Sequence, residues 1–131
     1  MLKDRIKERF KDYNNAFLRL KEATNLDNKN DIVIDAVIQR FEFTFELSWK
    51  LMKAYLEYEG IEETQSPRST IKCAYKFGLI EDGDAWIDMM LDRNRTSHVY
   101  DEILAVQIYN NIKSHHKDLL ENLLYKFQEI L

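Results

Sequence analysis

The sequence predicts an all-α chain: an up-and-down four-helix bundle with one extra short or broken helix. Three observations carry that prediction. Glycine and proline are scarce, three and one in 131 residues; a sheet protein needs such residues at its many turns, whereas a few long helices hardly need them. Three long segments carry apolar residues at spacings of three and four, the period of a helix with one buried face. The segments between them are short, and short connections make neighbouring helices antiparallel.

The first helix is expected from Leu2 to Ala23, on the stripe Leu2, Ile6, Phe10, Tyr13, Phe17 and Leu20. Polar residues from Asn25 to Asp31 end it. The second is expected from Asp31 to Glu59, with Asp31 as its N-cap. Val33, Val37, Phe41, Phe45 or Thr44, Ser48, Met52 and Tyr55 form its stripe, and Phe43, Leu47, Leu51 and Leu56 widen it. Together with Trp49, so wide a face exceeds what one small bundle core needs and points to a homodimer. Gly60 closes the helix where a left-handed residue is wanted. Ser66-Pro67 reads as an N-cap followed by proline at the first helical position; the short helix it opens stops at Gly78. Asp82-Gly83-Asp84 opens another, carrying Trp86, Ile87, Met89, Met90 and Leu91. Residues 94–100 are polar and break the pattern. Asp101 is placed to cap the last helix, whose stripe is Ile103, Val106, Tyr109 or Asn110, Ile112 or Lys113, His116, Leu119 or Leu120, Leu123, Phe127 and Ile130. No repeat, low-complexity stretch or internal boundary is visible, so 1–131 reads as a single helical-bundle domain.

Composition narrows the function. A hydrophobic fraction of 45% and a charged fraction of 32% are those of a globular chain. The net charge of -4 excludes broad electrostatic gripping of nucleic acid and leaves only short, local contacts. Residues 1–22 run against that balance, with seven Lys/Arg and four Asp/Glu, and read as a solvated helix face. The single cysteine, Cys73, forms no internal disulfide. Met1-Leu2-Lys3-Asp4-Arg5 lacks a signal peptide's apolar region, and no apolar run approaches the ~18 residues of a membrane span. A cytoplasmic location without membrane contact is expected.

No metal or cofactor is expected either. His98 stands alone, and His115 and His116 are adjacent, so they point to different helix faces, unlike the close-spaced ligands of a zinc site. Glu-x-x-His pairs and a Gly-rich phosphate loop are absent. Cys73 lies mid-helix, and the pattern around it does not suggest an activated thiolate. His116 lies on an apolar stripe and is expected to be a satisfied core or interface histidine. The aromatic residues, Trp49 and Trp86 included, read as core or interface anchors.

One segment departs from this pattern. Arg93, Arg95, His98 and Tyr100 fall within eight residues, with Asn94, Thr96 and Ser97 between them. Arginine offers a planar fork of donors that suits phosphate. Histidine exchanges protons near neutrality, and tyrosine donates, stacks or is modified. In one continuous helix Arg93 and Tyr100 share a face, whereas His98 is turned roughly 140° from Arg93. A kink or a partner subunit is then needed to bring both onto one phosphate. The competing reading is a polar helix junction in which Thr96 and Ser97 cap and the arginines are solvated.

Arg93-x-x-x-x-His98-x-Tyr100 resembles the Arg-x4–6-His signature of the HEPN superfamily, in the form found in HepT-like proteins. Three further stretches resemble the nucleotidyltransferase substrate-binding branch: Arg40-Phe41-Glu42-Phe43-Thr44-Phe45-Glu46-Leu47-Ser48-Trp49-Lys50; Ser66-Pro67-Arg68 with its helix to Gly78-Leu79-Ile80; and Asp92-Arg93-Asn94 leading into Thr96-Ser97-His98-Val99-Tyr100-Asp101-Glu102. The resemblance spans nearly the whole chain. It implies a dimerising four-helix bundle and a partner encoded nearby, a minimal nucleotidyltransferase that carries the catalytic carboxylates absent here. It further implies a metal-independent RNase toxin of a toxin–antitoxin pair, silenced by AMP transfer from the partner. On that resemblance Arg93 holds the scissile phosphate, His98 is the general acid/base on the 2′-hydroxyl, and Tyr100 accepts AMP. Arg93, Asn94, Arg95 and Ser97 are the candidates for holding phosphate or nucleotide, the role of Arg95 following from its charge alone. The chain is then a possible endoribonuclease and not itself a nucleotidyltransferase, with single-stranded RNA or a nucleotide as ligand. Two other readings stay open: a non-catalytic substrate-binding adaptor of a two-component nucleotidyltransferase, and a structural helical dimer without ligand.

Overall fold

Six α-helices, among the described residues, follow the predicted order: α1 Leu2–Thr24, α2 Asp31–Tyr58, α3 Pro67–Phe77, α4 Gly83–Arg95, α5 Glu102–Asn111 and α6 Lys117–Ile130. They are seen in a computed structural model that describes residues 2–27 and 30–131. The side chain of Leu2, expected to begin the first stripe, and residues 28 and 29 of the expected turn lie outside the described residues. A 3-10 turn, Thr96–His98, follows α4, and a π turn, Ile112–His116, joins α5 to α6 as one rod.

Local chemistry sets the helix ends. Asn30, not Asp31, caps α2: its side-chain oxygen accepts from the Val33 N–H at 2.9 Å. Asp31 becomes the first helical residue, where its charge favours the positive end of the helix dipole. Gly60 and Gly78 adopt φ of 88° and 87°, a left-handed conformation that costs glycine nothing. Ile61 N–H then donates to Leu56 O and Leu79 N–H to Ala74 O, both at 2.9 Å, satisfying carbonyls that the helix ends would otherwise leave open. Ser66 caps α3 with Pro67 at its first position, and Asp82 caps α4.

The bundle consists of α1, α2, α4 and the α5–α6 rod, with α3 as the extra short helix. Phe10 meets Phe127 while the Tyr13 hydroxyl donates to Leu120 O, so α1 runs antiparallel to α6. Phe41 stacks on His116 and Tyr55 meets Phe127, so α2 runs parallel to the rod. Buried Phe17, Phe41, Phe45, Trp86, Tyr109 and Phe127 form one continuous core, and each such aromatic contributes roughly 1.5–3 kcal/mol on burial. Burial also pushes the Tyr13 hydroxyl well above the usual tyrosine range.

Two expected stripes need correction. On α2, Leu51 and Leu56 are buried and Leu47 is half-buried, but Phe43 stands outside at 55% exposure. On the last rod, Ile103 (74% exposed) and Val106 (43%) face solvent, while Ala105, Ile108, Tyr109 and Ile112 face inward. Burial of Ala105 and Ile108 rotates the first turn of α5, so that Ile103 lies on the side away from the core.

Candidate functional site

Helix α4 delivers two chemistries on two faces. Asp92 and Arg95, three residues apart, sit one turn from each other on one face; Arg93 lies about 100° round, on another. On the first face Asp92 is 2% exposed. Its carboxylate accepts from Asn111 Nδ2 at 3.0 Å, lies 2.7 Å from His116 Nε2, and pairs with the Arg95 guanidinium. Burial pushes the Asp92 carboxyl up, but the hydrogen bonds from His116, Arg95 and Asn111 together hold it below its ordinary range. His116 is flanked by the Phe41 ring, 5.5 Å between centroids, and lies in the core as its stripe position suggested, but it is only half satisfied: Nε2 meets Asp92 while the buried Nδ1 has no hydrogen-bond partner. The π turn, fixed by the Lys117 N–H donating to Ile112 O, precedes α6 and carries His116 to this contact. Such turns recur at functional positions in helices. Asn94 and Arg95 open onto a cleft of about 820 Å³ between α4 and the rod, with Asp92, Asn111 and His116 in its wall.

On the second face Arg93 Nη2 lies 3.4 Å from Glu46 Oε1 of α2, with both side chains about one-third exposed. Arg93 Nε is buried and has no hydrogen-bond partner, a donor left open beside a solvent-reaching guanidinium. Glu46 also accepts from Trp49 Nε1 at 3.2 Å and lies 3.9 Å from Lys50 Nζ.

The polar junction comes next in the chain. Thr96 is buried and its hydroxyl donates to Arg93 O at 2.7 Å, closing α4 as the junction reading anticipated. The 3-10 turn then sets His98 and Tyr100 outward; Ser97 and Asn94 are exposed as well. Tyr100 is 82% exposed, and its hydroxyl lies 3.4 Å from His98 Nδ1, the rings meeting edge-on. Asp101 caps α5 by accepting from the Ile103 and Leu104 N–H groups at 3.0 and 3.3 Å.

The predicted residues are therefore divided. His98 and Tyr100 pair; Arg93 faces α2; Arg95 and Asn94 face the cleft. Among the described residues no hydrogen bond joins Arg93 to His98 in one chain; the segment is not the continuous helix on which the roughly 140° offset rests, since α4 ends at Arg95 and a 3-10 turn carries His98. Nor do the described residues contain three or more His, Cys, Asp or Glu side chains placed to hold a metal ion. Sequence reasoning gave no role to Glu46 or to the Asp92–His116–Asn111 cluster. The signal was there: Asp92 extends the apolar stripe of Trp86 and Met89, and His116 lies on the stripe opposite. Two polar groups on facing apolar stripes survive burial by pairing.

A family model described as nucleotidyltransferase substrate binding protein like matches residues 8–129. The chain belongs to that family. A Haemophilus influenzae protein named probable ribonuclease HepT is 37% identical over 86 residues, which cover 63% of this chain and 59% of that relative's length. Among solved structures, a Thermus thermophilus protein is 38% identical, with a TM-score of 0.80 over 87% of this chain and 97% of its own. A Haemophilus influenzae structure, described as revealing the fold of a substrate binding domain of a nucleotidyltransferase, is 26% identical, with a TM-score of 0.69 over 98% and 99%. A chain of the toxin–antitoxin pair MntA–HepT shares the fold at 16% identity, with a TM-score of 0.79 over 96% and 98%. The nucleotidyltransferase substrate-binding fold thus accounts for the bundle from end to end. Among the described residues no helix is long and apolar enough to cross a membrane.

Proposed function

We propose that this chain is the HepT-like partner of a minimal nucleotidyltransferase and a metal-independent endoribonuclease toxin, silenced by AMP transfer to Tyr100. The observation that carries the proposal is the exposed His98–Tyr100 pair at the junction just past an α4 that presents Arg93. Metal-free RNA cleavage needs a base for the 2′-hydroxyl proton, an acid for the leaving 5′-oxygen, and positive charge at phosphorus. His98 removes the 2′-hydroxyl proton, the freed oxygen attacks phosphorus, and a second His98, across a homodimer cleft, protonates the leaving oxygen. Arg93 binds the non-bridging oxygens through the solvent-reaching end of its guanidinium, and exposed Ser97 supplies a further donor; Asn94 and Arg95 hold phosphate or nucleotide in the cleft on the other face of α4. An AMP ester on Tyr100 replaces the hydroxyl beside His98 with an anion, where the substrate phosphate has to sit. That is the physical link between modification and silencing. Single-stranded RNA as substrate goes with a cytoplasmic location.

A second reading is favoured by one observation: Arg93 is held by Glu46 and is not joined to His98 within the chain. In that reading the chain is a non-catalytic adaptor that holds substrate for the nucleotidyltransferase. Expression of the chain alone, beside His98→Ala, separates the two. The nuclease arrests growth and the variant does not. Equal toxicity of the two chains sinks the acid/base role of His98, and harmless wild type leaves the adaptor. Intact mass after co-expression with the neighbouring nucleotidyltransferase is expected to rise by AMP units in wild type and not in Tyr100→Phe.

A further inference from the structure

We propose that the groove between α1 and α2 is a track for the phosphodiester backbone of single-stranded RNA, leading to Arg93; the proposal rests on the ribonuclease reading. The groove encloses about 180 Å³ and is lined by Arg5, Arg9, Lys50 and Lys53 around Trp49, with Glu57 as its one acid. Four cations against Glu57 and the adjoining Glu46, which lies 3.9 Å from Lys50, leave a local positive excess on a chain whose net charge is -4. Two of the seven basic residues of the first helix, Arg5 and Arg9, line this groove; Lys3, Lys7, Lys11 and Arg19 lie on its solvated surface as expected. Arg5 and Arg9, one helical turn apart and about 6 Å along the axis, meet the lysines of the neighbouring helix.

The cations differ in how they are held. Lys53 is fixed, 2.6 Å from Glu57 Oε1 and donating to Thr64 O at 3.1 Å. Among the described residues neither Arg5 nor Arg9 has a carboxylate within ion-pair distance. The Glu57 carboxyl, lowered chiefly by its hydrogen bond from Lys53, also feels Arg5 at longer range; both guanidiniums suit phosphate as bidentate donors. Trp49 is half-buried and its indole N–H is anchored on Glu46. An anchored indole among cations is the pairing that single-strand binders use: charge follows the backbone and the ring stacks a base without regard to sequence. An acidic protein partner would use the charges but not the ring. Glu46 shows that the groove adjoins Arg93, since the same carboxylate contacts Trp49, Lys50 and Arg93; its own charge opposes phosphate there, so the backbone has to pass on the Arg5 and Arg9 side.

The test is fluorescence anisotropy of the full chain with a labelled, uncleavable 2′-O-methyl oligoribonucleotide of mixed sequence, across a salt series. Arg5→Ala/Arg9→Ala is compared with Lys72→Ala/Lys76→Ala, which removes the same charge from α3. The groove variant is expected to weaken binding at least tenfold and to flatten the salt dependence by about 1.4 in log–log slope, about 0.7 for each lost phosphate contact. The α3 variant is expected to bind as wild type, and Arg5→Lys/Arg9→Lys to bind more tightly than the alanine pair. Equal weakening by groove and α3 variants overturns the track, because only net charge then matters; so does unaltered binding by the groove variant. Loss of the co-purifying nucleotidyltransferase with RNA affinity intact also overturns it and makes the groove a protein-docking surface. If growth arrest still depends on His98 in any of these cases, the track has failed and the ribonuclease reading stands.

Discussion

Asp92 concentrates more of the local energetics than any residue of the expected motif. Its carboxylate joins α4 to the last rod through His116 and Asn111, and steadies Arg95 at the cleft. Removing it strands buried donors, and breaking a buried hydrogen-bonded pair is far worse than never having built one. Asp92→Ala is expected to lose about 3 kcal/mol in urea unfolding, with Asp92→Asn losing less. The pH dependence has a definite sign. Burial acts to raise the Asp92 carboxyl, but its three partners outweigh that and leave the folded group below the ordinary value of 3.8. The unfolded chain therefore holds more protons in this range, and stability rises with pH. The contribution is complete above the ordinary value and is lost as pH falls through the folded one. Urea midpoints at about pH 6 and about pH 3 are expected to differ more for wild type than for Asp92→Asn. An equal difference in both would remove Asp92 from the acid response.

At the level of elements, punctuation decided what could be read from the chain. Ser66-Pro67 and Gly78 bracket α3 at the positions expected, since each forces a local geometry that packing does not override. At α2 the same logic slipped by one residue, because Asn30 and Asp31 are both good caps and only the backbone turn chooses between them. The junction was legible as a polar break but not as a 3-10 turn, which has no compositional mark of its own. The start of α5 was misread for a related reason: Ile103 and Val106 match the apolar period, yet small Ala105 faces the core. The π turn left no trace in sequence, because it depends on where Asp92 lies across the bundle. Asp101 ties these features together. It caps α5, and its N–H donates to His98 O at 3.1 Å, closing the turn that displays His98 and Tyr100. Asp101→Ala is expected to lower stability by about 1 kcal/mol in thermal unfolding, and Asp101→Ser to recover most of it. No change in the alanine variant would mean that water caps α5 as well as the carboxylate does.

The proposed cleavage makes a demand that one bundle does not satisfy alone. Proton transfer to and from RNA would need two groups of opposite duty, and each chain displays one histidine at the junction. The surface beside that histidine carries Tyr100 at 82% exposure, Ile103 at 74% and Val106 at 43%. An isoleucine so exposed, one turn from the site, gains free energy if a second chain covers it. The proposed paired site requires a homodimer in which the Ile103 surfaces meet and the two junctions share one cleft. Light scattering is accordingly expected to give twice the chain mass of 15.7 kDa. Ile103→Glu is expected to give a folded monomer, its melting temperature lowered only by the stabilisation that the dimer supplied and made independent of concentration, and to abolish growth arrest. The three readouts constrain one another. A dimeric, toxic Ile103→Glu chain moves the interface elsewhere, to the α2 surface that exposes Phe43. A wild-type monomer that still arrests growth removes the second histidine altogether, and the acid must then come from Tyr100, whose hydroxyl already stands beside His98.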